Sequence, residues 1–271
     1  MLSKVISQAN IDHVEKWFER AEKIVIVTHV SPDGDAIGSS LGLWHFLESQ
    51  EKNVNVIVPN AFPDFLRWMP GAKDIIRYDK YKEFADKLIA EADVICCLDF
   101  NALSRIDAMA DAVAASKGRK MMVDHHLYPG DFCRIVISHP EISSTSELVF
   151  RLICRLGYFE DITKEGAECI YTGMMTDTGG FTYNSNNREI YFIISELLDG
   201  MQAGVGAVIA SVVWDMAAGI TKKKEWTSIV IMAAAFIASY VMEVPVVYIV
   251  LICIAMGVIR TVLAGRGKRK K

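Results

Sequence analysis

Five aspartates and three histidines recur in short runs through the first two thirds of this 271-residue chain. They are His29, Asp33 and Asp35 in HVSPDGDAIGS, Asp99 in CCLDF, Asp124, His125 and His126 in MMVDHH, and Asp177 in MMTDTGGF. Each run ends or follows a stretch that reads as strand or helix. In an α/β domain, carboxylates and imidazoles at strand ends converge on one crevice. Hard oxygen donors mixed with imidazole suit a divalent ion of the Mn²⁺ or Mg²⁺ type. Eight such groups are too many for one ion, and they fit a pair of ions that activate water for attack on a phosphoryl group.

The spacing assigns first roles. His29, Asp33 and Asp35 share one loop, and H-x-x-x-D-x-D lets His29 and Asp33 serve one ion while Asp35 reaches the next. Gly34 between the two acids is read as permitting the turn. Asp99, at a neighbouring strand end, is the natural bridging carboxylate, and His125 and Asp177 complete the second ion. Asp124 ends its strand where it can orient a histidine. His126 is left for substrate phosphate or the leaving group, so His126 and Asp124 are the expected catalytic pair. His13, His45 and His139 fall outside the set and read as ordinary surface or half-buried histidines.

The elements that must position these groups alternate in type. Residues 8–22 place Ile11, Val14, Trp17 and Phe18 at helical spacing. Lys23–Val30 is a β-branched run suited to a buried parallel strand. Ala36–Ser49 reads as a helix that Asp35 would cap. Val54–Val58 is a strand, and Pro59–Gly71 a proline-rich loop. Lys82–Glu91 and Ala108–Ala115 are helical, Asp93–Leu98 and Lys120–Val123 strands. Ser144-Thr145-Ser146-Glu147 has capping-box spacing and opens a helix to Leu156. Lys164–Met175 is a helix that delivers Asp177. The alternation predicts an α/β, doubly wound parallel sheet.

Composition divides the chain. Residues 1–199 hold 20 Lys+Arg against 30 Asp+Glu, a net of −10, and residues 200–271 hold 9 against 3, a net of +6. An acidic body excludes bulk charge attraction as the means of capturing an anionic substrate, so capture must be local, by metals and a few arginines. The six cysteines (96, 97, 133, 154, 169 and 253) show no framework spacing and read as reduced core thiols. The first residues contain no apolar core of signal-peptide length.

After Leu198 the chain turns apolar. Thr227–Ile259 runs 33 residues with Glu243 as its only charge, and lysine clusters lie at 222–224 and at the C-terminus. About 20 apolar residues make one span. Glu243 and Pro245 near the middle therefore predict two short membrane-spanning helices joined by a tight turn, with both lysine clusters on the cytoplasmic side. A buried helical pair within the globular body is the soluble alternative. Residues 1–198 are expected to be a cytoplasmic catalytic domain, and residues 199–271 an all-α membrane segment that anchors it.

HVSPDGDAIGS, LDFNALSR, VDHH and TDTGGF together resemble the four motifs of the DHH-family phosphoesterases, in their bacterial oligoribonuclease and pAp-phosphatase branch, over about residues 5–198. The resemblance implies Mn²⁺-dependent hydrolysis of phosphate esters of short oligonucleotides, pAp or linear dinucleotides. One metal would take His29, Asp33 and Asp99, and the other Asp35, Asp99, His125 and Asp177. His126 would contact phosphate. Arg105 would hold substrate phosphate, the alternative being an ion pair near Asp107. Relatives of this branch continue into a glycine-rich substrate-gripping lobe, whose signature is not found after residue 198, so impaired activity is expected. The tail resembles the C-terminal membrane segment of chromate-transporter proteins, and the union reads as a fused or truncated reading frame near Leu198-Asp199. The competing function is an oxyanion (chromate) transporter fragment joined to a metal-binding lobe without catalysis, which would require oligomers.

Overall fold

Runs that are apolar on both faces, such as KIVIV, VICCL and RKMMVD, form strands sandwiched between two helical layers, because each face of the strand must find its own apolar partner. The computed structural model describes residues 2–200, which lie within one compact unit, Met1–Val205. The expected membrane hairpin and its lysine clusters lie outside the described residues. No described helix is long and apolar enough to cross a membrane.

The element order is α1 (Gln8–Arg20), β1 (Lys23–Val27), α2 (Gly34–Ser49), β2 (Asn53–Val58), β3 (Ile76–Arg77), α3 (Lys82–Glu91), β4 (Val94–Leu98), α4 (Ala110–Ala115), β5 (Arg119–Asp124), β6 (Ile135–Ser138), α5 (Thr145–Arg155), α6 (Lys164–Asp177) and α7 (Arg188–Gly200). The sheet is wholly parallel, in the order β3-β2-β1-β4-β5-β6. This is the doubly wound architecture expected from the sequence. The order reverses between β1 and β4, and the crevice at their carboxyl ends is where such sheets bind ligands.

Alternation along each strand feeds two cores. Ile24 and Ile26 of β1, with Cys96 and Leu98 of β4, face the layer of α1, α2, α5, α6 and α7. Val25, Val27, Ile95 and Cys97 face α3 and α4. The described cysteines are free thiols, four of the five buried, and serve as core residues.

Three details differ from the sequence reading. β1 stops at Val27, three residues early, because Thr28–Val30 leave the ladder to form the site loop. β3 and β6 lie in stretches to which the sequence reading assigns no element. Both are short edge strands, and the periodicity of two to four residues is too brief to identify them. The capping box closes only by half: the Ser144 hydroxyl accepts from the Glu147 N–H, but the Glu147 carboxylate turns to Ser143 and to Arg151.

Arg151 is almost wholly buried. Its guanidinium pairs with Glu147 at 2.7 Å and Glu189 of α7 at 2.9 Å, and donates to the Ser3 carbonyl at 3.3 Å. Removing one partner of such a buried pair costs about 3–5 kcal/mol. With Ile190, Ile193 and Leu197 buried in the core, this clamp makes α7 an integral part of the α/β unit.

Candidate metal centre

The loop after β1 is shaped by Asp33. Its Oδ1 accepts from the Asp35 and Ala36 N–H groups at 3.1 and 3.0 Å, so Asp33 and not Asp35 caps α2. The reason is geometric: the cap is the last extended residue before the helix, and α2 begins at Gly34. Gly34 therefore needs no left-handed freedom. A Cβ there would lie 2.2 Å from Thr176 Oγ1, so glycine is required for the close packing of α2 against α6.

Freed from capping, the Asp35 side chain is buried and receives two backbone N–H groups from the first turn of α5. Thr145 donates to Oδ2 at 2.7 Å and Ser146 to Oδ1 at 2.8 Å. Helix first-turn N–H groups lack intrahelical partners and attract carboxylates. Asp99 follows β4 with a left-handed backbone, φ 63°, which Asp tolerates better than most residues. Its N–H donates to the Val123 carbonyl at 3.1 Å, and its Oδ1 accepts from the Thr145 hydroxyl at 2.9 Å.

The histidines close the arrangement. His29 Nδ1 lies 2.8 Å from the Val30 carbonyl, an acceptor, which makes Nδ1 the protonated nitrogen and leaves the Nε2 lone pair free. That Nε2 is buried without a hydrogen-bond partner, 3.3 Å from Asp99 Oδ2 and 3.9 Å from Asp33 Oδ1. His125 Nε2 lies 3.8 Å from Asp35 Oδ2, 3.7 Å from Asp99 Oδ1 and 3.5 Å from Asp177 Oδ2. His126 is held by Asp124, whose Oδ2 accepts the His126 N–H at 3.0 Å and whose Oδ1 lies 2.7 Å from the ring Nδ1.

Three groups of donor atoms each fall within 4.8 Å of one another: His29, Asp33 and Asp99; Asp35, His125 and Asp177; and Asp99, His125 and His126. The third overlaps the second. Its His126 Nδ1 is already engaged by Asp124, which argues against His126 as a ligand through that atom. Burial raises the carboxyls of Asp35, Asp99 and Asp177 above the ordinary carboxylate range. Neighbouring Asp35 adds to the rise at Asp99 and Asp177, and Asp177 is brought to about 6. Crowded, desolvated carboxylates of this kind are relieved by a bound cation.

The eight residues expected from sequence thus meet in one crevice. Arg105 borders it: its carbonyl accepts the Val30 N–H at 2.8 Å. Among the described residues it forms no ion pair, with Asp107 or otherwise. His45 and His139 make contacts elsewhere, to the Pro70 carbonyl and to Glu141. Thr145, Ser146 and Gly173 were not anticipated. The SSTSE run signals only a helix start, and nothing in it reveals that the helix points at Asp35 and Asp99. A Cβ on Gly173 would lie 1.9 Å from Ser146 Oγ and 3.1 Å from Asp35 Oδ1.

The model of the DHH family, N-terminal domain, matches residues 23–174. A chromate transporter model matches residues 174–258. The two ranges meet within α6, although residues 174–198 belong to the α/β core by their packing. The bifunctional oligoribonuclease and PAP phosphatase NrnA of Thermus thermophilus is 33% identical over 175 residues, covering 65% of this chain and 49% of that protein. The cyclic-di-AMP phosphodiesterase PdeA of Listeria monocytogenes is 27% identical over 194 residues, 69% of this chain and 29% of that one. The crystal structure of an exopolyphosphatase-related protein from Bacteroides fragilis is similar with a TM-score of 0.73 and 84% identity, covering 73% of this chain and 58% of that one. The chain spans about half, or less, of the length of these curated relatives.

Proposed function

The chain belongs to the DHH family, and we propose that it is a metal-dependent phosphoesterase acting on small nucleotides or short oligonucleotides. One observation carries the reading. The two oxygens of Asp99 face different groups of donors, Oδ2 toward His29 at 3.3 Å and Oδ1 toward His125 at 3.7 Å. A carboxylate so placed can be shared between two ions, one held with His29 and Asp33, the other with Asp35, His125 and Asp177. The partnerless buried Nε2 of His29 supports the fit, as does a donor set of imidazole and carboxylate suited to Mn²⁺, with Mg²⁺ the second choice.

Two divalent ions bound there would polarise a phosphoryl oxygen and lower the pKa of a bound water. The remaining roles fall to the chain itself. Asp124 Oδ1 accepts the hydrogen bond from His126 Nδ1–H and fixes the ring, so Nε2 is the nitrogen left for substrate. In the imidazolium form its N–H can donate to phosphate and pass its proton to the leaving oxygen, which returns the ring to neutral. Arg105, beside the site loop and without an ion-pair partner among the described residues, would steady a substrate phosphate. NrnA and PdeA are both named for attack on phosphate esters of nucleotides, which supports nucleotides as the substrate class.

For residues 199–271, the chromate transporter match over 174–258 and the 33-residue stretch of low charge support a membrane-embedded helical segment. Carbonate extraction of membranes from expressing cells tests it: retention in the pellet is expected, and release to the supernatant contradicts it.

The activity is tested by incubating the full chain with pApA, pAp or a short oligoribonucleotide, with Mn²⁺ and with chelator, and resolving products by chromatography. Mononucleotide released from pApA or the oligomer, or AMP from pAp, only with Mn²⁺ is the expected result. No metal-dependent turnover of any of the three would refute the reading.

A further inference from the structure

Thr145 occupies an unusual place in the centre. It is the first residue of α5, fully buried, and touches two of the carboxylates at once. Its N–H donates to Asp35 Oδ2 at 2.7 Å, and its hydroxyl donates to Asp99 Oδ1 at 2.9 Å. Among the described residues no other side-chain hydroxyl donates to the Asp99 carboxylate. The terminal torsion of an aspartate is broad and roughly two-fold, so the Asp99 carboxylate could turn unless something fixed it. The Thr145 hydroxyl is that constraint. It holds Oδ1 on the side of His125 and Asp35, and thereby leaves Oδ2 facing His29. The two bonds differ in what they need from the side chain. The bond to Asp35 uses backbone and survives substitution, whereas the bond to Asp99 requires a hydroxyl.

We propose that Thr145 is the positioning residue that lets one carboxylate serve two ions, by fixing Asp99 Oδ1 toward the Asp35, His125 and Asp177 half. This rests on the two-ion reading of the site. Loss of the hydroxyl weakens the ion of that half, and the ion held by His29, Asp33 and Asp99 Oδ2 far less. The unequal effect separates positioning from a general loss of structure, which would weaken both.

The test is Mn²⁺ titration of the full chain by calorimetry, with electron paramagnetic resonance at saturation, on wild type, Thr145→Val and Thr145→Ser. Wild type is expected to bind two ions with an exchange-coupled signal. Thr145→Val keeps the branched shape and the N–H. It should bind the first ion much as wild type does and the second about 10- to 100-fold more weakly, the scale of losing a partner that orients a ligand. Its coupled signal should give way to that of isolated Mn²⁺. Thr145→Ser restores the hydroxyl and should restore both. Two ions bound by Thr145→Val as tightly as by wild type would overturn the inference, and so would a Thr145→Ser as impaired as Thr145→Val. If Thr145→Val loses cooperative unfolding, Thr145→Ala is read by the same criteria. A wild-type chain that binds fewer than two ions would instead overturn the two-ion reading itself, and this inference with it.

Discussion

His29 and Asp33 reach their common focus from a single loop of five residues, whereas Asp35, His125 and Asp177 come from the start of α2, the loop after β5 and the end of α6. The first group is shaped by local bonds: Asp33 caps its own helix, and His29 leans on the next carbonyl. Asp33 is 59% exposed at its side chain, and little else packs on it. The second group is shaped by tertiary packing. Asp35 is gripped by α5, and Gly34 lies so close to Thr176 of α6, and Gly173 of α6 so close to Ser146 of α5, that neither has room for a Cβ. Two halves of one centre can therefore fail in different ways. The local half answers to its own ligands, and the packed half answers to anything that moves α5 or α6. Asp99 belongs to both.

The largest effect is expected where the two halves are joined. Asp99→Asn keeps the size of the side chain but supplies one oxygen where the centre uses two. Both ions should be lost and turnover should fall to the metal-free level, as read by metal content and by pApA hydrolysis. Retention of two tight ions would show that the halves are independent.

The two adjacent histidines sharpen the contrast next. His126→Ala should keep both ions and lose roughly 10²- to 10⁴-fold in rate, the usual worth of a general acid or base. His125→Ala should lose the ion of the packed half and retain the other. Equal metal content in the two variants would contradict the division of roles.

Gly173→Ala probes the packed half without replacing a ligand. The added methyl meets Ser146 and Asp35, and overpacking of this kind costs about 1–3 kcal/mol. Thermal unfolding should shift downward, and Mn²⁺ should be lost from the Asp35 half before the His29 half. An unchanged second ion would mean that the packing of α6 against α5 and Asp35 does not govern that half.

The smallest effect concerns pH. Burial raises the carboxyls of Asp35, Asp99 and Asp177 above the value of 3.8 for a free aspartate, Asp177 to about 6. A raised folded-state pKa gives a stability contribution that is full below the unfolded value and lost as pH rises through the folded one, which for Asp177 is about 6. For these groups, the metal-free protein should gain stability on going from pH 7.5 to pH 5. Mn²⁺ needs the ionised carboxylates, so its stabilising effect should run the other way and be larger at pH 7.5. Melting temperatures at the two pH values, with and without Mn²⁺, check both signs.

What was legible in the sequence follows the same division. The H-x-x-x-D-x-D loop is read directly because its ligands are neighbours in the chain. The strands of the β1 and β4 type are legible because a buried parallel strand must be apolar on both faces. Helix α5 was anticipated from its cap, but not its aim at Asp35 and Asp99, because capping chemistry fixes where a helix starts and not what it faces. The assignment of the cap to Asp35 failed for a related reason. Two acids flank Gly34, and which of them caps depends on where the helix starts, at Gly34, with Asp35 inside the first turn and turned to α5. Edge strands β3 and β6, two and four residues long, carry too little periodicity to be seen.

Anomalous diffraction at the manganese edge, from crystals of the full chain soaked in Mn²⁺, tests the central claim most directly. Two peaks about 3.5–4 Å apart are expected, as in two-metal sites generally. One should lie on the His29 and Asp33 side of Asp99, the other on the His125 and Asp177 side. A single peak, or two peaks that do not share Asp99, would contradict it.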